Sequence, residues 1–215
     1  MGVELRVKIN FGLVHMNAAR DFAKKCRMIE EDQKHLDWPQ PRYQEAARYA
    51  LGAVILSVAA IEAGINETYL TMADNVGRAV QQLPADKVRL LAILWDQVEP
   101  FPTLKKYQIA LVACGQRPFD PGLEPYQSAQ DLTRVRNALI HFKPEWDNDS
   151  GDHAKLEARL KNRFQETQTW KRAKGARKWF PDRCLGAGCA EWACNTAKSL
   201  HDEFCKRLGL KPVLG

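Results

Sequence analysis

The chain has 215 residues, of which 45% are hydrophobic, which is enough for one substantial core but small for two domains. Its formal net charge of +6 is compatible with a nucleic-acid partner, although many ordinary proteins are this basic. The opening residues, MGVELRVKIN, lack the apolar core of a signal peptide. We therefore expect the 6 cysteines to be reduced thiols of a cytoplasmic protein, and not a disulfide framework.

The first half of the chain predicts two long helices. Residues 10–32 place apolar side chains along one side of a helix, namely Leu13, Met16, Phe22, Cys26 and Ile29. Two prolines in LDWPQPRYQ then interrupt the pattern, and a second helix is predicted from about Arg42 to about Asp74. Its middle, YALGAVILSVAAI, is apolar nearly all round but shorter than the ~20 residues of a membrane helix. We expect the central helix of a soluble bundle without membrane association.

The remaining segments also have helical spacing. Helices are predicted between Pro84 and Pro100, in TLKKYQIALVACG with Gly115 at its end, from about Tyr126 to Phe142, and in HAKLEARLKNRF. The last helix, CAEWACNTAKSLHDEFCKRL, has a stripe of Cys189, Trp192, Ala193, Ala197, Leu200 and Phe204. Only LRVKI near the start is a candidate strand. The sequence predicts an all-α fold, a single helical bundle domain spanning 1–215, with a basic irregular segment at about 165–188.

The stretch DLTRVRNALIHFKPEW carries the most informative polar residues. At about 100° per residue, Leu132, Val135, Leu139 and Phe142 cluster on a core face. Asn137 and His141 are four positions apart, so they share a face that points away from this core. Arg136 lies at the edge of the core stripe. Solvent-exposed polar residues at a helix end explain the same pattern without any function, and a site remains the alternative.

The central helix contains a carboxylate beside its most apolar run. Glu62 follows that run in AAIEAGINE, and a buried carboxylate must be paired or neutralised. Arg136, at the core edge of another helix, would be a suitable partner. We therefore expect a direct or water-bridged contact between Glu62 and Arg136, with a solvent-facing Glu62 as the alternative.

These residues together resemble the HEPN (higher eukaryotes and prokaryotes nucleotide-binding) superfamily. RNALIHF fits its arginine, polar residue, then histidine pattern, in which four residues separate Arg136 from His141. The IEAGINE helix and the FPDRCLGAGCAEWA entry to the last helix are also similar to small bacterial HEPN-like proteins. The likeness extends from about Ala46 onward.

The resemblance implies a metal-independent endoribonuclease that needs no cofactor and attacks RNA through its own 2′-hydroxyl. In that reaction His141 would act as acid or base, Arg136 would hold phosphate oxygens, and Asn137 would orient the phosphate or the imidazole. Glu62 would hold Arg136 in place.

The resemblance also implies partners. Many HEPN proteins act as homodimers, and a second subunit would supply a second histidine. A toxin or phage-defence role would add an antitoxin or another protein partner. The alternative within this family is a non-catalytic module that dimerises or binds a nucleotide or a protein.

Two further sequence features bear on RNA and metal binding. Basic side chains that could contact RNA phosphates are interleaved with aromatic residues after the motif: Lys143, Lys171, Arg172, Lys174, Arg177 and Lys178. A solvated charged loop would look the same. Cys184, Cys189 and Cys194 lack the tight C-x2-C pair of structural zinc sites, so we expect no metal there.

Overall fold

The structure, a computed structural model, describes residues 9–33, 42–144, 151–167 and 178–215. The helices are α1 (Phe11–Gln33), α2 (Arg42–Asp74), α3 (Arg78–Gln82), α4 (Ala85–Val98), α5 (Thr103–Ala113), α6 (Tyr126–Ile140), α7 (Asp152–Leu160) and α8 (Ala187–Leu208). A short helical turn, Trp179–Arg183, precedes α8. In these ranges the only β-type pairing is an isolated bridge between Lys161 and Phe164, so the predicted all-α class is confirmed for them.

Helix α2 is the central element of the bundle. It packs against α1, α4, α6 and α8, and its bounds agree with the prediction from the sequence. Among the described residues, Gln44–Asp74 is the one helix long and apolar enough to cross a membrane, and half of its most apolar window is buried inside the fold. This burial is compatible with the core helix of a soluble protein.

Small residues allow α1 and α8 to approach α2. The buried residues of α1 include Met16, Ala19, Ala23, Cys26 and Ile29, and those of α8 include Cys189, Ala193, Ala197, Leu200 and Phe204. Gly52 of α2 shows how close the approach is, because a Cβ at this position would lie 2.4 Å from the Phe22 ring.

Three predicted core residues are placed differently from the expectation. Leu13 is exposed, while Phe22 and Trp192 are only half-buried. The Phe22 ring packs on the backbone at Gly52 and beside Tyr49, and Trp192 contacts Phe164, so part of each ring is left facing solvent. Helical periodicity identifies the side of the helix correctly but not how near each residue comes to the neighbouring backbone.

The helix ends follow local backbone chemistry. After α5, Gly115 adopts a left-handed φ of 73°, as predicted for a residue that ends a helix. Helix α7 ends at Leu160, earlier than predicted, and Asn162 in the following turn has a positive φ of 79°. The sequence did not predict α3. The candidate strand LRVKI lies outside the described residues except for Ile9, which is irregular and exposed.

A buried hydrogen-bonded chain joins α2, α5 and α8. The Tyr107 hydroxyl donates to the carbonyl of Ile61 at 2.9 Å and lies 3.2 Å from Nδ1 of His201. The single hydrogen of the Tyr107 hydroxyl is used in the bond to Ile61, so the hydroxyl oxygen must accept a hydrogen bond from Nδ1–H of His201. The other ring nitrogen, Nε2, then carries no hydrogen and accepts from Cys205 Sγ at 3.4 Å. The imidazole is therefore held in its neutral form. Burial lowers the pKa of His201 from its ordinary 6.5 to about 4.

We predict that this histidine makes the fold sensitive to acid. Its pKa is lower in the folded chain than in the unfolded one, so the unfolded state takes up the proton first as pH falls. Stability is therefore complete above pH 6.5 and declines as pH is lowered towards about 4, by up to about 3 kcal/mol. Urea unfolding of wild type and His201→Gln at several pH values measures this. An identical pH dependence in the two proteins would contradict the assignment.

Candidate functional site at the end of α6

Helix α6 ends at the residue on which the functional prediction depends. The His141 backbone N–H still donates to the Asn137 carbonyl at 2.9 Å, but His141 itself has left helical geometry, with φ −104° and ψ 38°. Pro144 follows closely, and a proline disfavours helical backbone in the residue before it. The buried side of α6 includes Leu132 and Val135, as predicted, and Leu139 is half-buried. Phe142 was also predicted for the core face but is 45% exposed, because the helix ends at Ile140.

The side chains of Asn137 and His141 are exposed, and Arg136 is half-buried. This agrees with the prediction that the first two lie away from the core and that Arg136 lies at its edge. Arg136 and His141 are five positions apart, which separates them by about 140° around the axis. On a single α6 helix the two side chains therefore leave in different directions.

The three polar residues of the IEAGINE segment have different surroundings. Asn66 Oδ1 accepts from the buried ammonium of Lys106 at 2.9 Å, and Glu67 Oε1 accepts from the Gly12 backbone N–H at 2.9 Å. Glu62 is half-buried, and its carboxylate has no hydrogen bond or ion pair within the described part of the chain. Two of these residues therefore have structural roles, while Glu62 has none that these contacts define.

The direct contact expected between Glu62 and Arg136 is not formed. Neither side chain takes part in an ion pair among the described residues. The reason lies on α2, where Asn66 and Tyr69 follow Glu62 on the same face and both contact Lys106 of α5. That face is turned towards α5, whereas Arg136 belongs to α6.

The sequence interpretation missed an arginine on the exposed face of the motif helix. Arg134 lies three positions before Asn137 and seven before His141, so helical geometry puts all three on one face. The spacing was visible in the sequence. Arg134 Nη1 donates to Asp131 Oδ1 at 2.7 Å. Asp131 is buried, which the sequence interpretation did not predict. A carboxylate from the same helix thus orients this arginine.

An aromatic cluster connects the end of α6 with more distant parts of the chain. Phe142 stacks on His153 with ring centroids 5.3 Å apart and lies 6.3 Å from the Phe180 ring. These contacts bring α7 and the Trp179–Arg183 turn to the end of α6. The tertiary structure therefore places the end of the basic segment near the motif.

The predicted RNA-binding residues are only partly described. Lys143 is exposed beside the motif, and Lys178 is half-buried. Lys171, Arg172, Lys174 and Arg177 lie outside the described residues.

The cysteines are buried thiols. All six are free, including Cys184, Cys189 and Cys194, and the described residues contain no group of three or more side chains arranged to hold a metal. Burial raises the pKa of Cys205 to about 12 and that of Cys194 above its ordinary value. Cys194 and Cys205 are therefore poor nucleophiles near neutral pH.

Comparison with known proteins gives no relative from which a function could be transferred. No family model, curated protein or solved structure matches the chain. Its function is therefore inferred from its residues and their geometry.

We predict unequal effects on stability for substitutions of Asn66 and Glu62 on α2. Asn66→Ala removes the acceptor of a buried ammonium and should lower the free energy of unfolding by about 1–3 kcal/mol. Glu62→Gln should change it by less than about 0.5 kcal/mol, because Glu62 has no described partner to lose. Urea unfolding at pH 7 measures both. A larger loss for Glu62→Gln than for Asn66→Ala would show that Glu62 has a structural role.

Proposed function

We propose that this protein is a metal-independent endoribonuclease of the HEPN type. The observation that supports the proposal most is the end of α6, where Asn137 and His141 are exposed together and Arg136 is half-buried at the margin of the same helix. A histidine, an arginine and an amide at one accessible helix end are the groups that transfer of a phosphodiester needs.

The proposed reaction uses the 2′-hydroxyl of RNA as the nucleophile. A base removes its proton while the oxygen attacks the adjacent phosphorus, and an acid gives a proton to the departing 5′-oxygen. His141 is suited to proton transfer because an imidazole can both take up and give up a proton. Arg136 stabilises the charge on the phosphate oxygens, and Asn137 orients the phosphate or the imidazole. The products are a 2′,3′-cyclic phosphate and a 5′-hydroxyl.

Glu62 enters the proposal as a supporting residue. It is the one polar residue of the IEAGINE segment without a partner in the described structure. Its effect on Arg136 would pass through a bridging water, because the direct ion pair is not formed.

A second copy of the chain would complete the site. The motif supplies one histidine, whereas the in-line reaction uses an acid and a base on opposite sides of phosphorus. The apolar neighbours of His141 are also unusually accessible, because Ile140 is 50% exposed and Phe142 is 45% exposed. We propose a two-fold dimer in which the two α6 ends meet.

A cytoplasmic toxin or phage-defence effector is the cellular role that this activity suits. RNA would be its substrate, and an antitoxin or another protein would restrain it.

A non-catalytic module that binds a nucleotide or a protein is the second candidate. Two points favour it: no ion pair joins Glu62 and Arg136 among the described residues, and helix geometry separates Arg136 and His141 by about 140° around the axis. In an enzyme, the dimer would bring Arg136 of one subunit close to His141 of the other. Ribonuclease activity therefore distinguishes the two candidates.

We predict that purified protein cleaves single-stranded or looped RNA in the presence of EDTA. His141→Ala and Arg136→Ala should each reduce the rate by about 10²–10⁴, because each removes a group that acts on the reacting phosphate. Glu62→Gln should cost less. A gel assay with end-group analysis measures the rates and should find cyclic phosphate ends. Activity that is lost with EDTA, or that survives both alanine substitutions, would favour the non-catalytic module.

We predict that the dimer depends on the end of α6. Ile140→Asp should convert a dimer to a monomer, because it places a charge in the proposed apolar contact. Ile93→Asp on α4 is a matched control, since Ile93 is 59% exposed but lies away from α6 in the sequence. Light scattering at micromolar concentration measures the mass. A monomeric wild type, or equal effects of the two substitutions, would be inconsistent with this interface.

A further inference from the structure

Three arginines converge on one buried carboxylate beside the candidate site. Asp131 of α6 is only 1% exposed, and Arg134 Nη1 donates to its Oδ1 at 2.7 Å. Arg159 of α7 reaches the same oxygen at 3.8 Å, and Arg163 Nη2 lies 3.6 Å from Oδ2. We call Arg134, Arg159 and Arg163 the arginine cluster.

The arginine cluster has more positive charge than its acidic partners neutralise. Asp131 supplies one negative charge, and Glu124 supplies a second through its ion pair with Arg163 at 2.7 Å. One positive charge therefore remains. Arg134 and Arg159 are about half-exposed, so their guanidinium groups combine a fixed position with access to solvent. An arginine held in this way can present donors to an anion with little loss of conformational entropy.

The hydrogen-bonding groups around Asp131 are not all paired with one another. Its Oδ2 is buried and has no hydrogen-bond partner among the described residues, although Arg163 is near. The carboxylate thus positions the guanidinium groups without using all their donors. Each guanidinium has five N–H donors, and few of them are occupied here.

The arginine cluster continues the exposed stripe of the candidate site. Arg134 is followed on the same face of α6 by Asn137 and then His141. The distance along the axis from Arg134 to His141 is roughly 10 Å at 1.5 Å per residue. All three side chains of this stripe are exposed, so a ligand can reach them together.

We propose that the arginine cluster binds the phosphate backbone of single-stranded RNA next to the phosphate that is cleaved at His141. Asp131 acts as a positioning residue that holds the guanidinium groups towards the strand. The identity of the ligand as RNA rests on the proposed function. A row of guanidinium cations, amide and imidazole matches the closely repeating phosphates of a nucleic acid better than the isolated carboxylates of an acidic peptide.

Binding can be measured apart from cleavage with a fluorescent single-stranded oligonucleotide that carries 2′-O-methyl groups. This probe keeps the phosphates but lacks the nucleophile. In fluorescence anisotropy, Arg159→Gln and Arg163→Gln should each weaken binding about tenfold at low salt. Each lost phosphate contact should also reduce the slope of log K against log salt by about 0.7.

Two variants separate a binding role from a structural one. Arg27→Gln is the matched control, because Arg27 is 31% exposed, close to the 29% of Arg163, and is paired with Glu191 on the α1–α8 interface. It should bind the probe as wild type does. Asp131→Asn removes the charge that holds the guanidinium groups in position and should weaken binding of the probe, whereas in a cluster that only joins α6 to α7 it would lower stability and leave the affinity unchanged.

Several results would overturn the inference. One such result is wild-type affinity in both Arg159→Gln and Arg163→Gln, or an equal loss of affinity in Arg27→Gln. Another is unchanged or tighter binding in Asp131→Asn. A third is displacement of the probe by polyglutamate at lower charge concentration than by polyphosphate. The last result would indicate an acidic protein partner. Circular dichroism checks the fold of each variant. If Arg163→Gln unfolds, the affinity of Arg159→Gln tests the inference. The contact of Arg159 with Asp131 is longer, at 3.8 Å, and contributes less to the fold.

Cleavage of unmodified RNA distinguishes failure of this inference from failure of the proposed function. If the arginine variants bind more weakly while wild type and His141→Ala are equally inactive, the cluster binds RNA in a protein that is not a nuclease. If wild type cleaves RNA, His141→Ala does not, and the arginine variants bind the probe normally, the proposed ribonuclease function is supported and the proposed role of the arginine cluster is wrong.

Discussion

The burial of α2 is the constraint on which the rest of the structure depends. This helix is apolar around most of its circumference, so other helices must cover it on several sides, and α1, α4, α6 and α8 do so. Removal of that apolar surface from water is the main favourable term in folding. Each covering helix then has one side committed to α2 and leaves its opposite side available to solvent, a ligand or a partner.

The polar residues of the bundle follow from this arrangement. A polar group placed against α2 has to find a partner, and Asn66 with Lys106, His201 with Tyr107, and Glu67 with the Gly12 backbone all do. Polar groups on the outer side of α6 have no such requirement. Asn137 and His141 are therefore accessible because α6 packs on α2 with its opposite side. Asp131 of α6 is instead buried, and it contacts arginines of α6, α7 and the turn that follows α7.

The different packing environments explain which predictions were accurate. The long apolar pattern of residues 42–74 and the turn at Gly115 are local signals, and both agree with the structure. Leu13, Phe22 and Trp192 were assigned to the core by periodicity, but closeness between helices depends on the size of the residue opposite, as at Gly52. The direct or water-bridged contact predicted between Glu62 and Arg136 is not formed as a direct ion pair in the described residues, because two residues on different helices can both lie at a core edge without facing each other.

The sequence by itself determined the helical class, the central position of α2 and the exposed face of Asn137 and His141, because these depend on composition and on a period of 3.6 residues within one segment. Only the tertiary structure decided that Asp131 is buried, that Arg159 and Arg163 join Arg134 around it, and that Phe180 reaches Phe142. Those contacts join residues far apart in the chain. Their formation depends on how helices are oriented around a shared core, which no periodicity within a single helix encodes.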